Sequence, residues 1–297
     1  MTKRFQTKNW IQTTEADFQE WVTDLYSAFD AIGLVQTADT GQIVDPTTLP
    51  LPATNSTEAG YRMYRFDDAL QATAPIYIRV GVGRGNSNLS RRITFHPGHA
   101  TDGAGNLVDA PAYQVQTPSN SFSAGGRELW MCYTDGCFWV SFLTGELAAW
   151  QTEDFIIMRS QNPDGSPSGE HWVALNSSSG FTTLGWAATY DYSTQTYGYS
   201  TSSSGYRGLL QPGILSGTID PNTYTGVYPF FTLAEGDSRC RPNNSMVAFR
   251  SSEFPVATLF TAVPCGNTER TYVRNRTNWS QASSPYALGL VWEGPDV

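Results

Sequence analysis

His96 and His99 stand three residues apart, the spacing at which one helix face offers two imidazoles to a metal ion. Pro97 and Gly98 lie between them and predict a turn, so the pair is not preset for ligation, and His171 is remote in sequence. Gly81-Val82-Gly83-Arg84-Gly85-Asn86 has the outline of a phosphate-cradling loop. It lacks the third glycine of the dinucleotide spacing and leads into Ser87-Asn88-Leu89 without a helix signal, so a turn at a strand end is expected. Asp102-Gly103-Ala104-Gly105-Asn106, with Asp109, offers oxygens to calcium, yet it does not follow the twelve-residue loop that closes on a glutamate. Asp67-Asp68 and Glu153-Asp154 are adjacent carboxylates. On a strand, neighbours point to opposite faces, whereas retaining glycosidases hold two carboxyls about 5 Å apart across one cleft.

Four cysteines complete the reactive inventory: Cys132, Cys137, Cys240 and Cys265. Only the first two are close, which is not the two-pair spacing of a zinc ribbon. They flank Tyr133-Thr134-Asp135-Gly136 and read as opposed positions across a hairpin, where the geometry allows a disulfide. Synthesis in the cytosol argues for thiols during folding. The sequence carries no Gly-x-Ser-x-Gly elbow, no His-Glu-x-x-His pair and no Gly-x-x-x-x-Gly-Lys-Ser/Thr loop. The expectation is a protein with no catalytic residues, no cofactor and no metal.

The totals agree with that reading. Hydrophobic residues make up 40% of the 297, enough for a core, while only 15% are charged, so Ser, Thr, Asn and Gln must supply much of the polar surface. Fifteen Phe, fifteen Tyr and nine Trp argue against disorder. A net charge of −9, with no basic run beyond Arg91-Arg92, argues against nucleic acid as a partner. No stretch reaches the roughly 20 apolar residues that span a bilayer, and the start of the chain is too polar for an export signal. Cytosolic synthesis without membrane insertion is expected.

One element reads as a helix, over about 14–33. Phe18, Trp21, Val22, Leu25, Phe29 and Ile32 recur at spacings of three and four, Thr14 with Asp17 makes a capping box, and Gly33 is placed to end the helix. This apolar face serves either its own core or a docking contact with a neighbouring subunit. Beyond Gly33 the period changes to short runs of Val, Ile, Tyr, Phe, Trp and Thr punctuated by Gly, Pro, Asn and Asp. Strands are expected at 61–66, 76–80, 128–132, 138–142, 155–158, 171–175, 186–190, 246–250, 257–263, 270–273 and 287–292. The 128–132 and 138–142 runs form a hairpin on Thr134-Asp135-Gly136, and 155–158 pairs with 171–175 across Asn162-Pro163-Asp164-Gly165. A short turn over Phe66–Gln71, capped by Asp67, precedes Pro75 at a strand start. The fold class is therefore mainly β, an antiparallel β-sandwich or jelly-roll-like architecture with one amphipathic N-terminal α-helix. Residues 1–33 form an arm and helix, 34–150 a β-rich lobe and 151–297 a second lobe, the two lobes being separate or parts of one domain. The Ser, Thr, Tyr and Gly-rich stretch from Asn176 to Gly205 has the composition of an adaptable contact surface or of an ordinary exposed loop.

Two segments carry a resemblance. Leu34-Val35-Gln36-Thr37-Ala38-Asp39-Thr40-Gly41-Gln42-Ile43 and the stretch from Gly60-Tyr61-Arg62-Met63-Tyr64-Arg65-Phe66-Asp67-Asp68 to Pro75-Ile76-Tyr77-Ile78 follow a Trp-bearing helix. Together they resemble virion structural proteins of tailed bacteriophages, most closely over residues 18–80. Weaker likenesses fall in the Asp-Gly hairpin, in 159–165 and in 268–272. The resemblance implies a non-enzymatic part of a tail, neck or baseplate, present as symmetric copies and assembled in the host cytoplasm. Other virion proteins and copies of itself are the implied partners, with a host-surface receptor or glycan second. Implied alternatives are a tip or fibre protein, a head decoration protein and, last, a polysaccharide hydrolase. Once such a particle leaves the cell, Cys132 and Cys137 meet oxidising conditions.

Overall fold

The computed structural model describes residues 2–7, 14–85, 91–108, 115–117, 127–134, 136–144, 154–161, 166–175, 187–191, 196–199, 227–233, 240–250, 254–255, 257–263, 269–278 and 286–293. In chain order the elements begin with β1 (Thr2–Thr7), helix α1 (Glu15–Ala31), β2 (Val35–Gln36), β3 (Glu58–Arg65), β4 (Tyr77–Arg84) and β5 (Arg91–Gly98). Then come β6 (Ala100–Thr101), β7 (Leu107–Val108), β8 (Val115–Thr117), β9 (Arg127–Thr134), β10 (Cys137–Thr144), β11 (Asp154–Gln161) and β12 (Pro167–Leu175). The remainder are β13 (Ala187–Asp191), β14 (Thr196–Tyr199), β15 (Val227–Leu233), β16 (Cys240–Arg250), β17 (Leu259–Ala262), β18 (Arg270–Asn278) and β19 (Tyr286–Val291). The chain is mainly β with one N-terminal helix, and its sheets are antiparallel.

Helix α1 starts where its cap dictates. The Thr14 hydroxyl accepts from the Asp17 amide at 3.1 Å and the Asp17 carboxylate accepts from the Thr14 amide at 3.1 Å, while Gly33 leaves the helix at φ 96°. All six apolar residues expected on one face, Phe18, Trp21, Val22, Leu25, Phe29 and Ile32, are buried in the chain's own core, none more than 2% exposed. They are therefore not a docking face for a neighbouring subunit, because the same ring contacts close the molecule from within. Phe29 alone meets Tyr64, Phe95 and Phe138 at centroid distances of 5.6, 6.1 and 6.0 Å.

The central sheet has the order β1-β9-β10-β11-β12-β13-β14, an N-terminal sheet has β2-β3-β4-β5-β8, a C-terminal sheet has β15-β16-β19-β18-β17, and β6-β7 is a small hairpin. Strands β9, β10 and β11 of the central sheet are covered on both faces. Leu129, Met131, Tyr133, Phe138, Val140, Phe155 and Ile157 pack with α1 and the N-terminal sheet. Trp130, Cys132, Cys137, Trp139, Ile156 and Met158 pack with the C-terminal sheet. Alternate side chains enter opposite cores, so both must be apolar. This is why 129–133, 138–140 and 155–158 read as unbroken apolar runs, a pattern more usual in parallel sheets. The arrangement is three layers, and the boundary expected at 150/151 falls inside the central sheet, where β10 pairs directly with β11 through Trp139 and Ile156.

Several local expectations change in the structure. Gly81 and Gly83 lie within β4, not in a strand-end turn, because neighbouring atoms need the space: a Cβ on Gly81 would strike the Glu58 carboxylate and the Thr94 hydroxyl, and one on Gly83 the Thr57 carbonyl. His96-Pro97-Gly98 likewise continues β5. Pro97 lies opposite Ile78 of β4, and β8 pairs with Ile93–Phe95 of the same strand. The turn after Phe66 is capped by Asp68, whose carboxylate accepts from the Leu70 amide at 3.1 Å, and not by Asp67. The β9–β10 hairpin has a two-residue loop with Gly136 at φ 73°, which pairs Thr134 with Cys137 and Cys132 with Trp139. Cys132 and Cys137 are therefore diagonal, not opposed, and both are free buried thiols. The 155–158 and 171–175 runs do pair, from Phe155 with Leu175 to Met158 with Trp172, although the 162–165 turn lies outside the described residues.

Candidate functional site

The segments that carry the resemblance fold against each other. Gln42 is their hub: its amide nitrogen donates to the Thr37 and Asp39 carbonyls, each at 2.9 Å, and its amide oxygen accepts from the Met63 amide at 2.7 Å. Arg62 donates to the Ile43 carbonyl at 3.2 Å and to the Asp30 carboxylate at 3.1 Å, and its guanidinium lies 4.6 Å from the Tyr26 ring centre. Tyr64 donates to Asp30 at 3.2 Å, and Tyr26 donates to the Val80 carbonyl at 3.0 Å. Burial drives both phenols up from their ordinary range, so they remain protonated donors. Every one of these polar groups holds backbone or another side chain of the same chain.

Tyr61 extends the unit to the β6–β7 hairpin. Its hydroxyl donates to the Thr40 carbonyl at 2.9 Å, and the Thr40 amide donates to the Gly103 carbonyl at 3.0 Å. Gly105, at φ 87°, comes so close that a Cβ would overlap the Tyr61 hydroxyl. Gly105→Ala is expected to lower stability by about 2–4 kcal/mol, of which left-handed backbone contributes about 1–2 and the overlap the rest. Urea unfolding of the variant and of Gly103→Ala separates the two, since a Cβ on Gly103 meets nothing within 4 Å.

A second cluster joins this unit to the central sheet. The Arg159 side chain is fully buried and forms a fork on the Asp68 carboxylate, Nε to Oδ2 at 2.6 Å and Nη2 to Oδ1 at 2.9 Å. Its remaining nitrogen donates to the Ala74 carbonyl at 2.8 Å, and its own amide donates to the Gly136 carbonyl at 2.9 Å. Asp67 turns away to Arg65 at 3.5 Å, but its amide donates to the Tyr133 hydroxyl at 2.7 Å. His171 is the strand partner of Arg159 and is wholly buried. Burial, with Arg159 and His99 as lesser contributors, pushes its imidazole down to about 3, so it is neutral. Sequence reading weighed Asp68 only as half of a carboxylate pair. Nothing local links it to Arg159, and His171 carried no motif.

The other candidate residues do not converge. Asp102 closes its own turn, accepting from the Ala104 amide at 2.8 Å and from the Asn106 amide and side chain at 3.0 and 2.7 Å. Among the described residues no three His, Cys, Asp or Glu side chains lie together as metal ligands. Glu153, Asp109 and Cys265 lie outside the described residues, and Asp154 and Cys240 have described backbone only.

The thiols of Cys132 and Cys137 are sealed between the central and C-terminal sheets, where burial pushes Cys132 up to about 12 and Cys137 higher still. In the folded protein neither is expected to react with an aromatic disulfide reagent at pH 8, and both titrate once guanidinium unfolds the chain. Fast labelling of either in the native state would refute the packing. No family model matches the sequence, and no curated protein matches it.

Proposed function

We propose that this chain is a non-enzymatic structural component of a tailed-phage virion, seated in the tail, neck or baseplate and bound to copies of itself and to other virion proteins. The observation that carries the reading is the use made of residues 18–80. The stretch with the resemblance directs Gln42, Arg62, Tyr61 and Tyr64 onto its own backbone and carboxylates, as a scaffold does, and presents no assembled reactive set among the described residues. An acidic, β-rich chain with a run of buried aromatic contacts through α1 and the two faces of β9–β11 suits a part that must stay rigid. Mass spectrometry of gradient-purified particles from the encoding phage tests the reading. Recovery of the chain in fixed ratio to the major virion proteins supports it, and its absence from particles refutes it.

A host-surface glycan or receptor is the second reading. It is favoured by the placement of part of the Tyr and Ser-rich stretch on β13 and β14, the latter at the outer edge of the central sheet. Saturable binding of purified protein to host cells distinguishes this role from a purely internal one.

A further inference from the structure

We propose that Arg274 anchors a carboxylate-binding site on the C-terminal sheet, one that takes a monoanionic acid such as the carboxylate of an acidic sugar. Arg62, Arg91, Arg159 and Arg274 are the buried arginines among the described residues. The chain answers the first three. Asp30 pairs with Arg62 and Asp68 with Arg159, while burial lowers the pKa of Arg91 and the charges of Asp17 and Glu20 act against that loss. Arg274 is 8% exposed, yet its guanidinium makes no hydrogen bond or ion pair among the described residues, and its Nε is shut off from solvent without an acceptor. Burial pulls its pKa down, with no carboxylate to oppose the shift. An arginine keeps its proton in proteins, so the charge stays. A buried cation without a partner is costly, and an anion from outside the chain removes that cost.

The backbone under Arg274 is pinned on both sides. Its amide donates to the Thr258 carbonyl at 2.9 Å, and its carbonyl accepts from the Ala257 amide at 3.0 Å, with Ala257 held at φ 61°. Across the sheet it pairs with Gly289 of β19, and the β18–β19 register shifts directly afterwards, between Arg274 and Asn278. Such irregularities redirect side chains and gather beside functional sites.

Register places Val247, Phe260, Tyr272, Arg274 and Gly289 on one face of the sheet. Gly289 brings no side chain, and the Phe260 ring takes its place, since a Cβ there would lie 2.6 Å from the ring. Phe254 stacks on Phe260 at a centroid distance of 4.3 Å, and Tyr272 lies 5.8 Å from Phe260 on the same face. Charge matching selects the ligand. One guanidinium neutralises one carboxylate through two parallel N–H bonds, whereas a phosphate dianion would leave excess negative charge among apolar groups. Rings on the same face suit an acid carried on a body with C–H surface, as a sugar has. The site rests on the burial of Arg274; that the acid is a sugar rests on the reading of a host-surface glycan.

Thermal unfolding of the full-length chain near neutral pH and at constant ionic strength tests the site, with sodium acetate, sodium glucuronate, glucose or inorganic phosphate added to a chloride buffer. Acetate and glucuronate are expected to raise the midpoint saturably, with half-saturation at about 1–10 mM, and glucose is not. Arg274→Met is expected to weaken that response at least about tenfold. Without added carboxylate it is expected to unfold no earlier than the wild type, because it loses an unpaired charge. Arg274→Lys keeps the charge without the fork and is expected to respond between the two. If Arg274→Met unfolds earlier than the wild type, a carboxylate of the chain itself already pairs with Arg274 and the site is overturned. Equal responses of the wild type and Arg274→Met to acetate overturn it as well. An Arg274-dependent response to phosphate as strong as that to acetate overturns the choice of a carboxylate. Glucuronate no tighter than acetate supports the carboxylate site and overturns the sugar, while the particle reading stands.

Discussion

Arg159→Met and Asp68→Asn are each expected to lower the unfolding free energy by about 3–5 kcal/mol, the range for breaking one side of a buried ion pair. The reason is asymmetric. Either substitution leaves the surviving group, at 0% and 17% side-chain exposure respectively for Arg159 and Asp68, without the partner that its desolvation requires. The Ala74 carbonyl loses its donor as well when Arg159 is removed. Replacing both, as Arg159→Met with Asp68→Leu, is expected to cost far less than the sum, because two apolar side chains leave no unpaired charge. Urea unfolding of the two single variants and the double variant measures the coupling. Single-variant losses below about 1 kcal/mol would mean that the pair behaves as a surface bridge and does not tie the N-terminal unit to the central sheet.

Acid sensitivity centred on His171 is the second large effect. The folded protein keeps this imidazole neutral down to about pH 3, whereas the unfolded chain protonates it near its ordinary 6.5. The unfolded state therefore binds more protons between those values, and stability rises with pH across the window. The contribution is complete above pH 6.5 and is lost as pH falls, by about 2 kcal/mol at pH 5 and at most about 5 kcal/mol near pH 3. His171→Leu is expected to flatten the change in stability between pH 7.5 and pH 5, a range in which most carboxylates have not yet titrated. A wild-type protein with the same unfolding midpoint at both pH values would contradict the burial of His171. Arg159 contributes to the depression, so Arg159→Met should also soften the acid response, which ties the two predictions to one junction.

The docking contact offered as one alternative for α1 is closed off by its own ring packing. That apolar helix face is one that a core of this size needs for itself.

The sequence by itself determined the helix, its apolar face, its cap and its stop, the β class, and the β9–β10 and β11–β12 pairings. These depend on interactions within a few residues: a capping box, a period of three to four, a two-residue turn. Only the tertiary structure decided that the unbroken apolar runs belong to a sheet buried on both faces, because a run covered by two layers and a run from a single interior look alike along the chain. It decided that Gly81 and Gly83 make room for β3, that Cys132 and Cys137 sit diagonally, and that Asp68 belongs to Arg159 and not to Asp67. Each of these is a distance between residues remote in sequence or a register set by one turn residue, and neither is encoded in local composition.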